Sequence, residues 1–268
     1  MASHESEQRD ALRAAAGGAE KRSYVRRIFS DIAPSYDLLN HLLSFNIDKG
    51  WRTNAISMLG WQRDPAGTYV DLCTGTMDIA LELARQPGFL GTVLGADFAE
   101  PMLRVGQGKT HGRSVHPVVA DALQLPLAAG KAAGVIVAFG ARNFADLDAG
   151  LREAYRVLAP NGRLVILELT TPHVSLVRVM YRLYSHYVLP MIGRLVSGHR
   201  SAYSYLPASV ENFPGAEELA RRVRAAGFAN VAWQTRTMGI VAVHVGERGA
   251  GTGSHGRDAR ASSPVMSA

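Results

Sequence analysis

Three short apolar segments of this chain each close on an acid, at Asp71, Asp97 and Asp121, and the first two run into helical patterns. Strands of that length alternating with helices at short spacing call for a doubly wound, mostly parallel α/β sheet, because parallel neighbours need a crossover between them. Ligands of such sheets bind outside the carboxyl ends of the strands. The three acids therefore fall on one functional edge.

The first unit, Tyr69-Val-Asp-Leu-Cys-Thr-Gly-Thr-Met-Asp78, is the most informative. Its apolar run at 68–72 reads as a strand, Gly75 permits a tight turn, and Ile79-Ala-Leu-Glu-Leu-Ala84 opens a helix. A loop of this kind presents backbone N–H groups and a helix N-terminus to a ligand. It has neither the G-x-G-x-x-G of a dinucleotide fold nor the G-x-x-x-x-G-K-[ST] of a phosphate loop. Asp71 and Asp78 would also repel phosphate, so a cationic or neutral nucleoside suits the loop better. Asp97 is the natural acceptor for two ribose hydroxyls, and Asp121 with Ala122 sits where an adenine amino group is read. The plainer alternative is that each acid caps the helix behind it.

Further strands are predicted at 91–96, 115–120, 135–139 and 163–168, with helices at 99–105 and 148–158 and a turn at Pro160-Asn161-Gly162. A helix at 215–226 stopped by Gly227, then strands at 231–235 and 239–245, predict a C-terminal antiparallel hairpin. Three short helices before Gly60 form an N-terminal extension. The predicted organisation is a tail at 1–20 outside the fold, one domain at 21–245, and a second tail at 246–268 rich in Gly, Ser, Ala and Arg. Within the domain, 21–60 is the extension and 171–213 a helical insertion over the substrate. In that insertion Val177, Met180, Tyr181, Tyr184, Val188, Met191, Ile192 and Leu195 recur at helical spacing, with Pro190 expected to bend the helix. Four arginines between 172 and 200 have no acid among them.

With 47% hydrophobic and 19% charged residues the chain has a real core. One cysteine, Cys73, excludes an internal disulfide and makes the cytoplasm the expected compartment. No run of about 18 apolar residues calls for a membrane span. The net charge of +6 leaves an anionic surface open as a partner. Nucleic acid is not expected, since the arginines do not interleave with stacking aromatics. No G-x-S-x-G elbow occurs and the histidines lack metal-ligand spacing, so hydrolase and metal chemistry are not expected.

Phe139-Gly-Ala-Arg-Asn143 follows the fourth strand on the functional edge. An arginine and an amide beside a nucleoside pocket can hold an enolate-like oxygen of a second substrate. A solvated Arg142, or one paired with Asp146, is the plainer reading.

Taken together, Asp71-x-x-x-Gly75-Thr-x-Asp78, Ala96-Asp-Phe-Ala-Glu-Pro-Met-Leu103, Asp121-Ala-x-x-Leu-Pro126, Phe139-Gly-x-Arg-Asn143, Tyr155-Arg-Val-Leu-x-Pro-x-Gly-Arg-Leu164 and Glu168 resemble the class I S-adenosylmethionine-dependent methyltransferases. Phe29-Ser-x-x-Ala-x-x-Tyr-Asp37 with Asn40, Ser44 and Trp51, and Tyr187-Val-Leu-Pro-x-Ile-Gly193 with Tyr203-x-Tyr-Leu-Pro-x-Ser209, narrow the resemblance to the UbiE/MenG/COQ5 family. That family C-methylates quinone rings in menaquinone and ubiquinone biosynthesis. The resemblance implies a Rossmann-like class I methyltransferase fold and S-adenosyl-L-methionine as the methyl donor. The donor would be held by Asp71, Thr74, Gly75, Thr76, Asp78, Asp97, Asp121 and Ala122. It implies Arg142 and Asn143 beside the reacting ring, and Tyr36, Tyr184, Tyr203 and Tyr205 around a polyprenylated quinol, with demethylmenaquinol as the first expectation. His186, Asp146 and water are the candidates to take the ring proton. Contact with the inner face of the cytoplasmic membrane follows from such a substrate, and a homodimer is compatible with it. The family usually carries Gly where this chain has Met77, a costly exchange if that position is left-handed. Rival readings are a methyltransferase for another hydrophobic or aromatic small molecule, and a non-catalytic basic protein for a membrane surface or RNA.

Overall fold

The computed structural model describes residues 9–15, 17, 20–44, 46–172, 175–184 and 200–250. In chain order, α1 (Lys21–Ile32), α2 (Tyr36–Leu43) and α3 (Ile47–Leu59) precede β1 (Thr68–Leu72), α4 (Asp78–Ala84), β2 (Thr92–Asp97) and α5 (Glu100–Gln107). Then come β3 (Val115–Val119), β4 (Ala132–Ala138), α6 (Leu147–Val157), β5 (Leu158–Leu169), α7 (Ser175–Leu183), α8 (Arg200–Glu211), α9 (Ala216–Ala225), β6 (Ala229–Arg236) and β7 (Val241–Glu247).

The strands make one sheet in the order β3-β2-β1-β4-β5-β7-β6. Pairing is parallel from β3 to β5 and antiparallel where β7 meets β5 and β6. The Rossmann-like sheet with a terminal antiparallel hairpin is the one the sequence predicts.

Side chains alternate across a strand, so each strand feeds two cores. Val70, Leu72, Val135, Val137, Leu164 and Ile166 pack on one face with α6 and α9 residues such as Leu151 and Leu219. Tyr69, Ile136, Val165 and Leu167 pack on the other with Ile56 and Leu59 of α3 and Ile79 and Leu83 of α4. With both faces covered, β1 and β4 are nearly uniformly apolar.

Three local expectations change. Pro160-Asn161-Gly162 is not a terminal turn but a bulge inside β5, between the pairs Ala132↔Leu158 and Gly134↔Arg163. Asn161 takes a left-handed φ of 64° there. Helix α3 starts four residues before the predicted Trp51, so that Asp48 belongs to its first turn. Residues 9–15 lie within the fold as a helical segment, with Ala11, Ala14 and Ala15 buried in a cluster with Tyr24, Val25 and Ile28. Small side chains allow that close approach without the apolar stripe that marks a docking helix.

Candidate active site

The carboxyl edge of the sheet carries two cavities. Cys73, Asp97, Asp121, Ala122 and Asn143 are among the residues lining the first, together with the rings of Phe98 and Phe144. Asp97, the last residue of β2, accepts from the backbone N–H of Gly75 at 2.9 Å through one oxygen and of Ala99 at 2.8 Å through the other. A carboxylate has about four acceptor sites, so two remain for the neighbouring hydroxyls of a ribose. Burial raises the Asp97 carboxyl above its ordinary value, opposed by the N–H groups of Ala99, Gly75 and Phe98. Asp121 accepts from Leu123 N–H at 2.9 Å and pairs with Arg22 at 2.9 Å. With Arg22 closed over Asp121 the cavity measures ≈ 20 Å³, about one water. The Arg22 side chain is 61% exposed, and an exposed pair is worth at most about 1 kcal/mol, so displacing it would cost little. The acceptor at Asp97 and the aromatic and alanine walls fit a nucleoside; Arg22 must move to admit it.

Most of the other predicted nucleoside residues hold the loop rather than line the cavity. Asp71 is 1% exposed and accepts from Thr74 Oγ1 and from Ala80 N–H at 3.1 Å. Burial pushes its carboxyl up to about 7, against the pull of those two bonds and of the Arg52 charge. Thr76 donates to Asp37 on α2. Asp78 pairs with Arg52 at 3.1 Å and with Lys109 at 2.7 Å, and Lys109 reaches Asp37 at 2.7 Å. The loop is thereby fastened to the N-terminal extension. Cys73, Gly75 and Met77 all take positive φ, of 53°, 54° and 67°. Met77 is fully buried in the core with Leu103 and Ile79, and lines neither cavity. The Cys73 thiol is pushed well up by burial, in keeping with a structural residue.

The second cavity, of ≈ 470 Å³, lies between the extension, the ends of β4 and β5, α7 and α8. Its wall is mainly apolar and aromatic and includes Tyr36, Arg142, Tyr184 and Tyr205. Tyr36 touches both halves of the site: its Cε1 lies 3.6 Å from where a Cβ on Gly75 would stand. Asn143 lines the first cavity and accepts from Tyr205 Oη at 3.1 Å, so it joins the two.

Arg142 is 8% exposed and is fixed on several sides. Its Nη1 donates to Glu168 Oε1 at 2.6 Å and to the Phe139 carbonyl at 2.5 Å, and Lys21 Nζ donates to its own carbonyl at 2.8 Å. Burial alone would lower the guanidinium; Glu168 reverses this and holds it above the usual value. Burial and the Arg142 charge lower Lys21. The Nε of Arg142 has no hydrogen-bond partner, although it is buried. The expected pairing with Asp146 is not observed, because Asp146 caps α6 by accepting from Ala149 N–H at 2.9 Å.

That cap also removes Asp146 from the candidates for the ring proton, since it does not line the second cavity. His186 and the predicted bend at Pro190 lie outside the described residues, as does the side chain of Tyr203. Of the predicted stripe, Val177, Met180, Tyr181 and Tyr184 line the cavity, and Met180 is also more than half exposed, as are Leu176, Val179 and Leu183 outside the stripe. Sequence reasoning missed Asp48 and Arg52, which line the same cavity from α3. Ser44 Oγ donates to Asp48 at 2.6 Å, and Arg52 Nε lies 3.2 Å from the other Asp48 oxygen. Their signal was present, since Ser44 and Trp51 stand on either side of Asp48 in the N-terminal signature.

The profile of the family described as "ubiE/COQ5 methyltransferase family" matches residues 18–248. A demethylmenaquinone methyltransferase of Thermus thermophilus is 49% identical over 224 residues, covering 82% of this chain and 100% of the relative. A ubiquinone/menaquinone biosynthesis C-methyltransferase of Geobacter sulfurreducens is 42% identical over 234 residues, covering 86% and 90%. Among solved structures, the [4+2]-cyclase SpnF superposes with a TM-score of 0.62 at 14% identity, covering 86% of this chain and 97% of that one. At that identity the likeness is one of fold alone, and a fold hosts many chemistries.

Proposed function

The chain belongs to the ubiE/COQ5 methyltransferase family, and from that premise we propose that it C-methylates a polyprenylated quinol with S-adenosylmethionine, converting demethylmenaquinol to menaquinol. The observation that carries this is the second cavity. It has the volume and apolar lining of a small-molecule site, and it meets the loop of the first cavity at Tyr36 and Gly75. A lipid-soluble ring with a hydroxyl group fits such a wall better than a polar substrate does.

S-adenosylmethionine would supply an electrophilic methyl group when held by this loop. Asp97 would hold the ribose, and the fixed loop would set the reach into the second cavity. The ring carbon must come to about 3–3.5 Å from that methyl in line with sulfur, and the aromatic wall sets its orientation. Arg142, held in place by Glu168, faces the ring hydroxyl and lowers the cost of negative charge on its oxygen, which pushes electron density onto the carbon. Asn143 and Tyr205 keep the two cavities in register.

The polyprenyl tail leaves past Met180 and Met238, which line the cavity and are 63% and 65% exposed. With Leu176, Val179 and Leu183 they make an apolar rim, and a membrane surface holding the tail would cover it. No helix among the described residues is long and apolar enough to cross a membrane.

The test is incubation of the purified protein with labelled S-adenosylmethionine and, in parallel, demethylmenaquinol and the demethylated benzoquinol. Label in the naphthoquinol is expected. Label in the benzoquinol alone reassigns the substrate, and label in neither removes the quinol reading.

A further inference from the structure

Methylation of a ring carbon leaves a proton to be removed, and the second cavity offers one group suited to take it. Among its described lining residues Asp48 is the sole carboxylate, and no histidine is present. Its neighbours there are poor acceptors. Arg52 and Arg142 are cations, and burial raises the phenols of Tyr36, Tyr181, Tyr184 and Tyr205, so these stay protonated near neutral pH. We propose that Asp48 is the catalytic base that accepts the ring proton, an assignment that rests on the quinol reading above.

The surroundings of Asp48 suit the role. Its residue is 3% exposed, in the first turn of α3, whose opening residues face the cavity with Trp51 anchored to Thr237 at 2.9 Å. Ser44 Oγ donates to one carboxylate oxygen and Arg52 Nε lies 3.2 Å from the other, which fixes the orientation of the group at the cavity wall. Arg52 also holds Asp78 at 3.1 Å, at the head of α4, so Asp48 is tied to the loop that presents the methyl group.

A carboxylate is base enough for this proton. As the bond from methyl to ring carbon forms, the bond from methyl to sulfur breaks and its electron pair stays on sulfur. The same carbon now carries both methyl and hydrogen. Its C–H bond then breaks, the pair restores the aromatic ring, and the proton passes to a carboxylate oxygen of Asp48. Rearomatisation makes that proton acidic. Asp48 afterwards returns it to water at the cavity mouth.

The test compares full-length wild type with Asp48→Asn, Asp48→Ala and Asp48→Glu, using a short-chain demethylnaphthoquinol and its ring-deuterated form. Turnover of Asp48→Asn should fall about 100-fold or more, the scale of a lost general base, while calorimetric affinity for S-adenosylhomocysteine stays within about threefold of wild type. Formate or acetate should restore part of the activity of Asp48→Ala, the deuterium isotope effect should grow in Asp48→Asn, and Asp48→Glu should retain more activity than either. Turnover of Asp48→Asn within about threefold of wild type overturns the assignment. So does a loss that small carboxylates do not rescue and that leaves the isotope effect unchanged, the pattern of a residue that only supports Arg52. A wild type that methylates no ring carbon removes the quinol reading and this base with it.

Discussion

Met77 and Asp71 carry opposite kinds of cost in the same loop. A non-glycine residue in the left-handed region costs about 1–3 kcal/mol, and Met77 is one, at φ 67°. Its fully buried side chain offsets this by filling space beside Gly95 and Gly106, so its departure from glycine narrows neither cavity. Asp71 is held in a place that disfavours its charge. With a folded value near 7, against the ordinary carboxylate range for the unfolded chain, its contribution to stability is complete below about pH 4 and is lost as pH rises through 7. Asp71→Asn keeps an acceptor for Ala80 and Thr74 without the charge. Its melting temperature should therefore fall less than that of wild type between pH 5 and 8, by the equivalent of up to about 3 kcal/mol. Parallel curves for the two proteins would contradict a strained Asp71. Arg142 has a different liability. Arg142→Ala leaves Glu168, itself 1% exposed, without its guanidinium and should cost about 3–5 kcal/mol in denaturant unfolding. Arg142→Lys keeps the charge and is the better probe, with stability nearer wild type and turnover strongly reduced.

Among the elements, α5 depends on the loop as much as the loop on α5. A Cβ on Gly106 would stand 2.7 Å from the Thr76 carbonyl and 3.0 Å from Met77 Cγ, so the helix needs glycine there to approach. Helix propensity alone favours Gly106→Ala by about 1 kcal/mol. The clash is with backbone, which yields poorly, and we expect a net loss of about 1–3 kcal/mol with weaker binding of S-adenosylhomocysteine by calorimetry. A variant more stable than wild type would show that the loop moves freely. The sheet was legible in sequence because its central strands are largely apolar and acids stand at or near three strand ends: Asp71 one residue before the end of β1, Asp97 closing β2, and Asp121 just past β3. The bulge in β5 was not, since Pro160-Asn161-Gly162 carries the same signal as a turn between elements. Residues 9–15 were misread because alanines pack by closeness rather than by a stripe. Sequence spacing also brought out residues near one another in the chain, such as Arg142 and Asn143. It could not show that Lys109 reaches back to Asp37, or that Asp48 and Arg52 turn into the cavity.

For the whole molecule, the arrangement of two cavities at one sheet edge assigns a division of labour. On the proposed function the first would take a nucleoside and the second a large apolar ring with its tail; Tyr36 in the wall of the second stands beside Gly75, whose N–H donates to Asp97 in the first. On the proposed function, the exposed rim on α7 would bear on the tail rather than on the ring. Leu176→Ser with Val179→Ser should weaken binding to anionic phospholipid vesicles and raise KM for a long-chain quinol more than for a short-chain one. Equal effects on both substrates would place the rim's contribution inside the fold. The central claim is that methyl transfer goes to carbon. Its most direct test is a ¹³C NMR spectrum of the lipid product after incubation with S-adenosylmethionine labelled in its methyl group and short-chain demethylmenaquinol. The account predicts the label at a methyl bonded to the aromatic ring carbon; label on a quinol oxygen, or no labelled lipid, would contradict it.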